Sequence, residues 1–144
     1  MSTLVLNVGN TSLFGGVCAG SRIGRRFRVP VREAAEPHGF KKLVVDRVRG
    51  PFDAVALCSV VPALTETFVR QIETTWGCTP QLLTAAADHG LEIGYRRPQE
   101  LGTDRLAAAV GARALFPRRD VIVVDCGTAT TVTALTRTGR IAGG

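Results

Sequence analysis

The sequence predicts an α/β fold in which a complete first unit of strands and helices is followed by the opening of a second unit built alike. Three observations predict it. Short β-branched and aliphatic runs alternate with glycine turns over residues 3–29, and the same texture returns from residue 121 onward. Between them apolar residues recur at helical spacing, as in Leu64, Phe68, Ile72 and Trp76. Finally, one loop occurs twice, as Leu6-Asn7-Val8-Gly9-Asn10-Thr11 and as Val124-Asp125-Cys126-Gly127-Thr128-Ala129. An offset of 118 residues sets Asn7 on Asp125, Gly9 on Gly127 and Asn10 on Thr128.

Residues 3–8, 12–18 and 22–29 read as three consecutive strands, separated by turn signals at Gly9-Asn10 and at Ala19-Gly20-Ser21. Pro30 and Pro37 bracket a connector, after which a helix is predicted from Gly39 to Val48, with Phe40, Leu43, Val44 and Val48 inward and Lys41, Lys42 and Arg49 outward. The run at 53–60 is so uniformly apolar that it predicts a strand buried on both faces. Pro62 suits the first position of the next helix, which Gly77 ends; Phe68 and Trp76 read as core anchors. A short strand is expected at 80–84 and an irregular stretch at 85–102. Thr103 can cap a helix over 104–116, rich in alanine on its packing side and stopped by Pro117. Strands at 121–126 and 131–136 flank the second glycine turn, and a further turn at 137–140 leads to Ile141-Ala142-Gly143-Gly144.

Composition narrows the function classes. The 144 residues are 45% hydrophobic, enough for a core that needs neither disulfides nor metal. Net charge is +6, and sixteen of the eighteen basic residues are arginines, scattered instead of interleaved with aromatics. That surface suits anionic small molecules; it lacks the patterning expected of a nucleic-acid binder. Cys18, Cys58, Cys78 and Cys126 lie far apart with only His38 and His89 as nitrogen donors, which argues against zinc. No apolar run is long enough to span a bilayer and the chain opens on a strand pattern, so a soluble cytoplasmic protein is expected.

The repeated turn carries the first chemical signal. A glycine following a strand, with Asn or Thr beside it, presents backbone N–H groups and a polar side chain that can cradle phosphate. A chain carrying the turn twice can grip one nucleotide from two sides. Gly9-Asn10 alone is also an ordinary hairpin turn. The copies differ where charge matters, since Asp125 is a carboxylate and Asn7 an amide.

A second signal is Tyr95-Arg96-Arg97-Pro98-Gln99-Glu100-Leu101-Gly102-Thr103-Asp104-Arg105, followed by Ala107-Ala108-Ala109-Val110-Gly111-Ala112. Together with the second glycine turn and Cys58-Ser59-Val60-Val61-Pro62, it resembles the type III pantothenate kinase family over essentially the whole chain. The duplicated hairpins resemble the phosphate loops of the wider actin-like ATPase and sugar kinase superfamily. The resemblance implies a ribonuclease H-like (actin-like ATPase) fold, with residues 1–117 as the N-terminal lobe including the linking helix and 118–144 as the truncated start of a second lobe.

The resemblance also implies an activity: ATP-dependent phosphorylation of pantothenate to 4′-phosphopantothenate, the first step of coenzyme A biosynthesis, in a homodimer. Asn7, Val8, Gly9, Asn10, Thr11, Ser12, Leu13 and Phe14 would form the first ATP loop, with Thr128 contacting ATP from the second. Asp125 would bind a monovalent cation, K+ or NH4+, and ATP would come with Mg2+. Tyr95, Gly102, Thr103, Asp104 and Arg105 would bind pantothenate, Asp104 taking the proton of its hydroxyl.

Residue chemistry bears on these roles independently. Phosphoryl transfer is mostly positioning and charge neutralisation, so a carboxylate of ordinary pKa within reach of the hydroxyl suffices. Arg105 can make paired hydrogen bonds to the carboxylate of pantothenate. Plainer readings stand beside these: Asp104 as a carboxylate favoured by the helix dipole, Arg105 in a surface ion pair, Tyr95 as an amphipathic cover. Asp125 ends a strand read as buried, where a carboxylate needs a cation or donor. Asn7 stands where the family has Asp, and the family continues through a further domain. A non-catalytic or degenerate paralogue that binds nucleotide, or an accessory regulatory protein, is therefore the alternative reading.

Overall fold

The computed structural model describes residues 1–20, 22–48 and 51–144, which form two compact units, Met1–Leu83 and Thr84–Gly144. Ser21 of the second predicted turn and Arg49 lie outside the described residues. In the first unit, β1 (Ser2–Val8), β2 (Ser12–Ala19) and β3 (Arg22–Pro30) make the expected antiparallel meander. β4 (Ala54–Ser59) joins β1 in parallel and β5 (Gln81–Leu82) joins β4, giving the order β3-β2-β1-β4-β5.

Alternation along β1 decides which face is covered. Leu4, Leu6 and Val8 are buried with Leu13, Val55 and Leu57 beneath the helices, burial that contributes about 1.5–3 kcal/mol for each large side chain. The opposite face is open among the described residues, with Val5 37% and Phe14 45% exposed. The prediction that the 53–60 strand is buried on both faces is thus corrected. Val55, Leu57 and Cys58 are buried, but Ala54 and Ala56 are only half-covered, because small alanines satisfy an apolar pattern without needing a second layer.

The connector bracketed by Pro30 and Pro37 is itself helical, which corrects the single helix predicted over 39–48. α1 (Val31–Ala35) and α2 (Pro37–Leu43) precede a 3-10 turn at Val45–Arg47. Proline explains the break: Glu36 is extended (φ −76°, ψ 142°), as a residue before proline prefers, and Pro37 opens α2 where its missing N–H costs nothing. α3 (Pro62–Trp76) ends at Gly77, whose φ of 66° is the left-handed cap its sequence position suggested. Phe68 and Ile72 are fully buried on α3, and Trp76 meets Phe40 and Phe52 edge-on at 5.6 and 5.4 Å, as core anchors should.

The second unit carries β6 (Glu92–Ile93), α4 (Thr103–Leu115), β7 (Val121–Cys126), β8 (Thr130–Leu135) and β9 (Arg140–Gly143), in the sheet order β6-β9-β8-β7. A 3-10 turn at Pro98–Glu100 interrupts the otherwise irregular stretch before α4. Leu106, Ala109 and Ala112 form the buried side of α4, which packs on β7 and β8. α4 belongs to the same compact unit as that sheet.

Two further expectations change here. Gly102, not Thr103, is the residue before the helix: its carbonyl accepts the Leu106 N–H at 3.0 Å, so Thr103 is already helical. β7 is exposed on one face, with Ile122 62% and Val124 56% accessible. A run of β-branched residues marks a strand, but not how many layers cover it.

Candidate functional site

The first glycine turn is tied down from three sides. Gly9 N–H donates to the Ser12 carbonyl at 2.9 Å, Val31 N–H to the Thr11 carbonyl at 3.1 Å, and Val60 N–H to the Val8 carbonyl at 3.0 Å. Four residues, Gly9 to Ser12, separate the last paired residues Val8 and Leu13. Of the segment expected to hold ATP, the side chains of Val8 and Leu13 belong to the core and Ser12 is nearly buried, while Asn10, Thr11 and Phe14 are exposed. Contact with a ligand at Val8 or Leu13 is therefore left to the backbone.

Asn7 lies on the open face, lining an apolar cleft of about 190 Å³ with Val5, Phe14 and Phe27. Its Oδ1 is buried and has no hydrogen-bond partner among the described residues, a costly state for a polar atom. The sequence did not single out Arg28. Its Nε donates to Ser12 Oγ at 3.0 Å and its guanidinium carbon lies 5.1 Å from the centre of the Phe14 ring. Strand register places it there, since Asn7 pairs with Phe14 and Phe14 with Arg28.

The second turn is one residue shorter, with Gly127 to Ala129 between the paired residues Cys126 and Thr130. Asp125 and Thr128 are both exposed within their unit. The strand end expected to be buried is thus exposed at Asp125, so burial gives no reason of its own for a partner there. Exposure leaves it open to a cation.

The start of α4 is the most densely organised stretch. Asp104 Oδ1 accepts the Arg105 N–H at 2.7 Å, satisfying one of the unpaired amides at the helix start. A β-carbon added to Gly102 would come 2.6 Å from that same oxygen, so glycine here makes room for the carboxylate. Arg105 reaches the sheet: Nε donates to Thr133 Oγ1 at 3.0 Å, and Nη2 donates to the Val132 carbonyl at 3.0 Å and the Tyr95 hydroxyl at 2.9 Å. Tyr95 donates onward to the Gly144 carbonyl at 3.0 Å.

This network links Tyr95 and Arg105 by hydrogen bonds at the start of α4, with Asp104 on the Arg105 N–H and Gly102 beside its carboxylate. The Nε and Nη2 edge that would have gripped a substrate carboxylate in a paired fashion is engaged with Thr133, Val132 and Tyr95. Thr133, only 2% exposed, escaped the sequence reading because a threonine inside a strand carries no signal of burial beneath an arginine. Among the described residues no three His, Cys, Asp or Glu side chains converge as a metal cage. Nor is any helix among them long and apolar enough to cross a membrane.

A family model described as type III pantothenate kinase matches residues 3–144. The type III pantothenate kinase of Legionella pneumophila (strain Corby) is 36% identical over 146 residues, covering 98% of this chain and 57% of the relative. Type III pantothenate kinase 1 of Francisella tularensis subsp. holarctica (strain OSU18) is 35% identical over 149 residues, covering 96% and 57%. The chain thus spans little more than half the length of these relatives. Among solved structures, an exopolyphosphatase-like protein superposes with a TM-score of 0.54 at 14% identity, over 99% of this chain and 49% of that one. The ROK hexokinase of Thermus thermophilus gives 0.50 at 16%, over 94% and 47%. Identities that low show the fold alone, the α/β actin-like ATPase architecture.

Proposed function

The chain belongs to the type III pantothenate kinase family, and on that premise we propose that it takes part in ATP-dependent phosphorylation of pantothenate to 4′-phosphopantothenate, the first step of coenzyme A biosynthesis. The observation that carries the proposal is the Asp104 carboxylate, held at the start of α4 by the Arg105 N–H and given room by Gly102. In this reading Asp104 Oδ2 accepts the proton of the pantothenate hydroxyl as its oxygen attacks the γ-phosphate. Tyr95 and Thr103 border the same substrate, and Arg105, anchored on Thr133, keeps the tyrosine hydroxyl and the helix start in register.

The glycine turns serve the nucleotide. Asn10, Thr11 and the backbone of the first turn cradle phosphate, and Thr128 contacts ATP from the second. Asp125 takes the monovalent cation, K+ or NH4+, its exposed carboxylate being a hard oxygen donor. Family membership also implies Mg2+. The first turn offers it no carboxylate, but Mg2+ keeps much of its water and binds largely through substrate phosphates, so the orphaned Asn7 Oδ1 fits as an acceptor for a coordinated water. When bound, the ion neutralises charge on the transferring phosphoryl group. A homodimer and a cytoplasmic setting belong to the same reading.

The decisive measurement is ATP-dependent formation of phosphopantothenate by the intact protein beside its Asp104→Asn variant. The expected outcome is a fall in kcat of about 10²- to 10⁴-fold with ATP affinity kept. Equal turnover by the variant would remove Asp104 from the chemistry, and no turnover by the unsubstituted protein would overturn the kinase. Asn7 is what favours a second reading, a nucleotide-binding paralogue without catalysis, because an amide keeps hydrogen bonds but not the charge that helps hold a divalent ion.

A further inference from the structure

Across the first sheet, Asn7, Phe14 and Arg28 stand in one row on three neighbouring strands. Their face is the one the helices leave open, and the row lies one residue from the turn at the level of Leu13 and Val8. From β3, Arg28 reaches toward the turn, placing Nε on Ser12 Oγ at 3.0 Å and its guanidinium 5.1 Å from the Phe14 ring centre. Ser12 is 8% exposed, and its carbonyl takes the Gly9 N–H that closes the turn. A buried hydroxyl and an aromatic face therefore hold the guanidinium beside the glycine turn.

Two features show that this is more than a cover for Phe14. The ion pairs among the described residues are Arg70–Glu66, Arg97–Glu100 and Arg140–Glu92, so Arg28 has no carboxylate partner there. Its Nη nitrogens, moreover, make no hydrogen bond to a described residue. A guanidinium oriented through Nε with its outer donors unspent is matched to an oxyanion, and with Asn7 neutral no acid on this row competes for it. A phosphate oxygen at the turn would meet both backbone amide and fixed positive charge.

We propose that Arg28 is a nucleotide-binding residue of the first glycine turn, its Nε fixed on Ser12 and its Nη groups taking a phosphate of the bound nucleotide. This rests on the nucleotide reading given above. The test is calorimetric titration of the intact protein with ATP and with adenosine, before and after Arg28→Gln. The expected result is a loss of about 10- to 100-fold in ATP affinity, the range for a hydrogen bond to a charged group, with adenosine affinity unchanged. An ATP affinity left intact, or the same loss for adenosine and ATP, overturns the phosphate contact while leaving the nucleotide site standing. If the unsubstituted protein binds no ATP, the nucleotide reading falls and the inference with it. Should Arg28→Gln fail to fold, Arg28→Lys answers the same question. It keeps the charge but not the geometry, so ATP binding should weaken several-fold and adenosine binding not at all; equal effects on the two ligands overturn the proposal.

Discussion

Arg105 on α4 donates from Nε to Oγ1 of Thr133 on β8 at 3.0 Å, joining the helix that carries Asp104 to a hydroxyl in the interior of the second sheet. Replacing Thr133 by the near-isosteric valine leaves the Arg105 Nε without that acceptor. A loss of about 1–3 kcal/mol is expected, read as a lower urea midpoint at unchanged m-value. The double variant with Arg105→Lys should lose less than the sum of the two single changes, since both remove one interaction.

Gly102→Ala should separate stability from turnover. The added methyl group would sit 2.6 Å from Asp104 Oδ1, and a carboxylate at the end of a short side chain can rotate away at little cost. Stability should therefore fall only by the lost Arg105 N–H bond, about 0.5–1.5 kcal/mol, whereas kcat falls about 100-fold because the proton acceptor is misplaced. An equal loss of both would mean that the backbone, not the carboxylate, yields.

Asn7→Asp is expected to create a metal dependence that the present residue lacks. Oδ1 is buried without a partner, so a negative charge there should lower the melting midpoint in EDTA. Mg2+ should restore it, by about 2.7 kcal/mol at one hundred times its Kd. Without nucleotide, the unsubstituted protein should show no comparable shift with Mg2+.

Gly77→Ala tests the end of α3. Nothing lies within 4 Å of an added β-carbon, so only the φ of 66° opposes the change, at about 1–2 kcal/mol. Denaturation should register that cost with ATP and pantothenate binding untouched.

Strand and helix positions were legible wherever one residue type has a single structural meaning. Pro62 and Gly77 bound α3 because proline suits a first turn and glycine a left-handed cap. The meander and its repeat followed from glycine turns between β-branched runs. What the sequence hid was coverage. The runs around Val55 and Val124 look alike, yet the first is a central strand beneath helices and the second an edge strand with an exposed face. Pro30 and Pro37 misled in another way, since each opens a helix as readily as it ends one. At the candidate site, the motif drew attention to Asp104 and Arg105, but the arginine's contacts with Thr133 and Val132, 28 and 27 residues further on, are visible only through packing.

The unequal glycine turns have one last consequence. With four residues in the first turn, Asn7 faces Phe14; with three in the second, Asp125 faces Thr131, where a turn of equal length would have set it against Val132. The one-residue difference in turn length thus sets the residue seven positions on, Phe14, across from the amide of the first copy and the residue six positions on, Thr131, across from the carboxylate of the second, an apolar neighbour in one and a hydroxyl in the other. In a duplicated hairpin, divergence of this kind can separate the ligand preferences of the two copies before any point substitution acts on them.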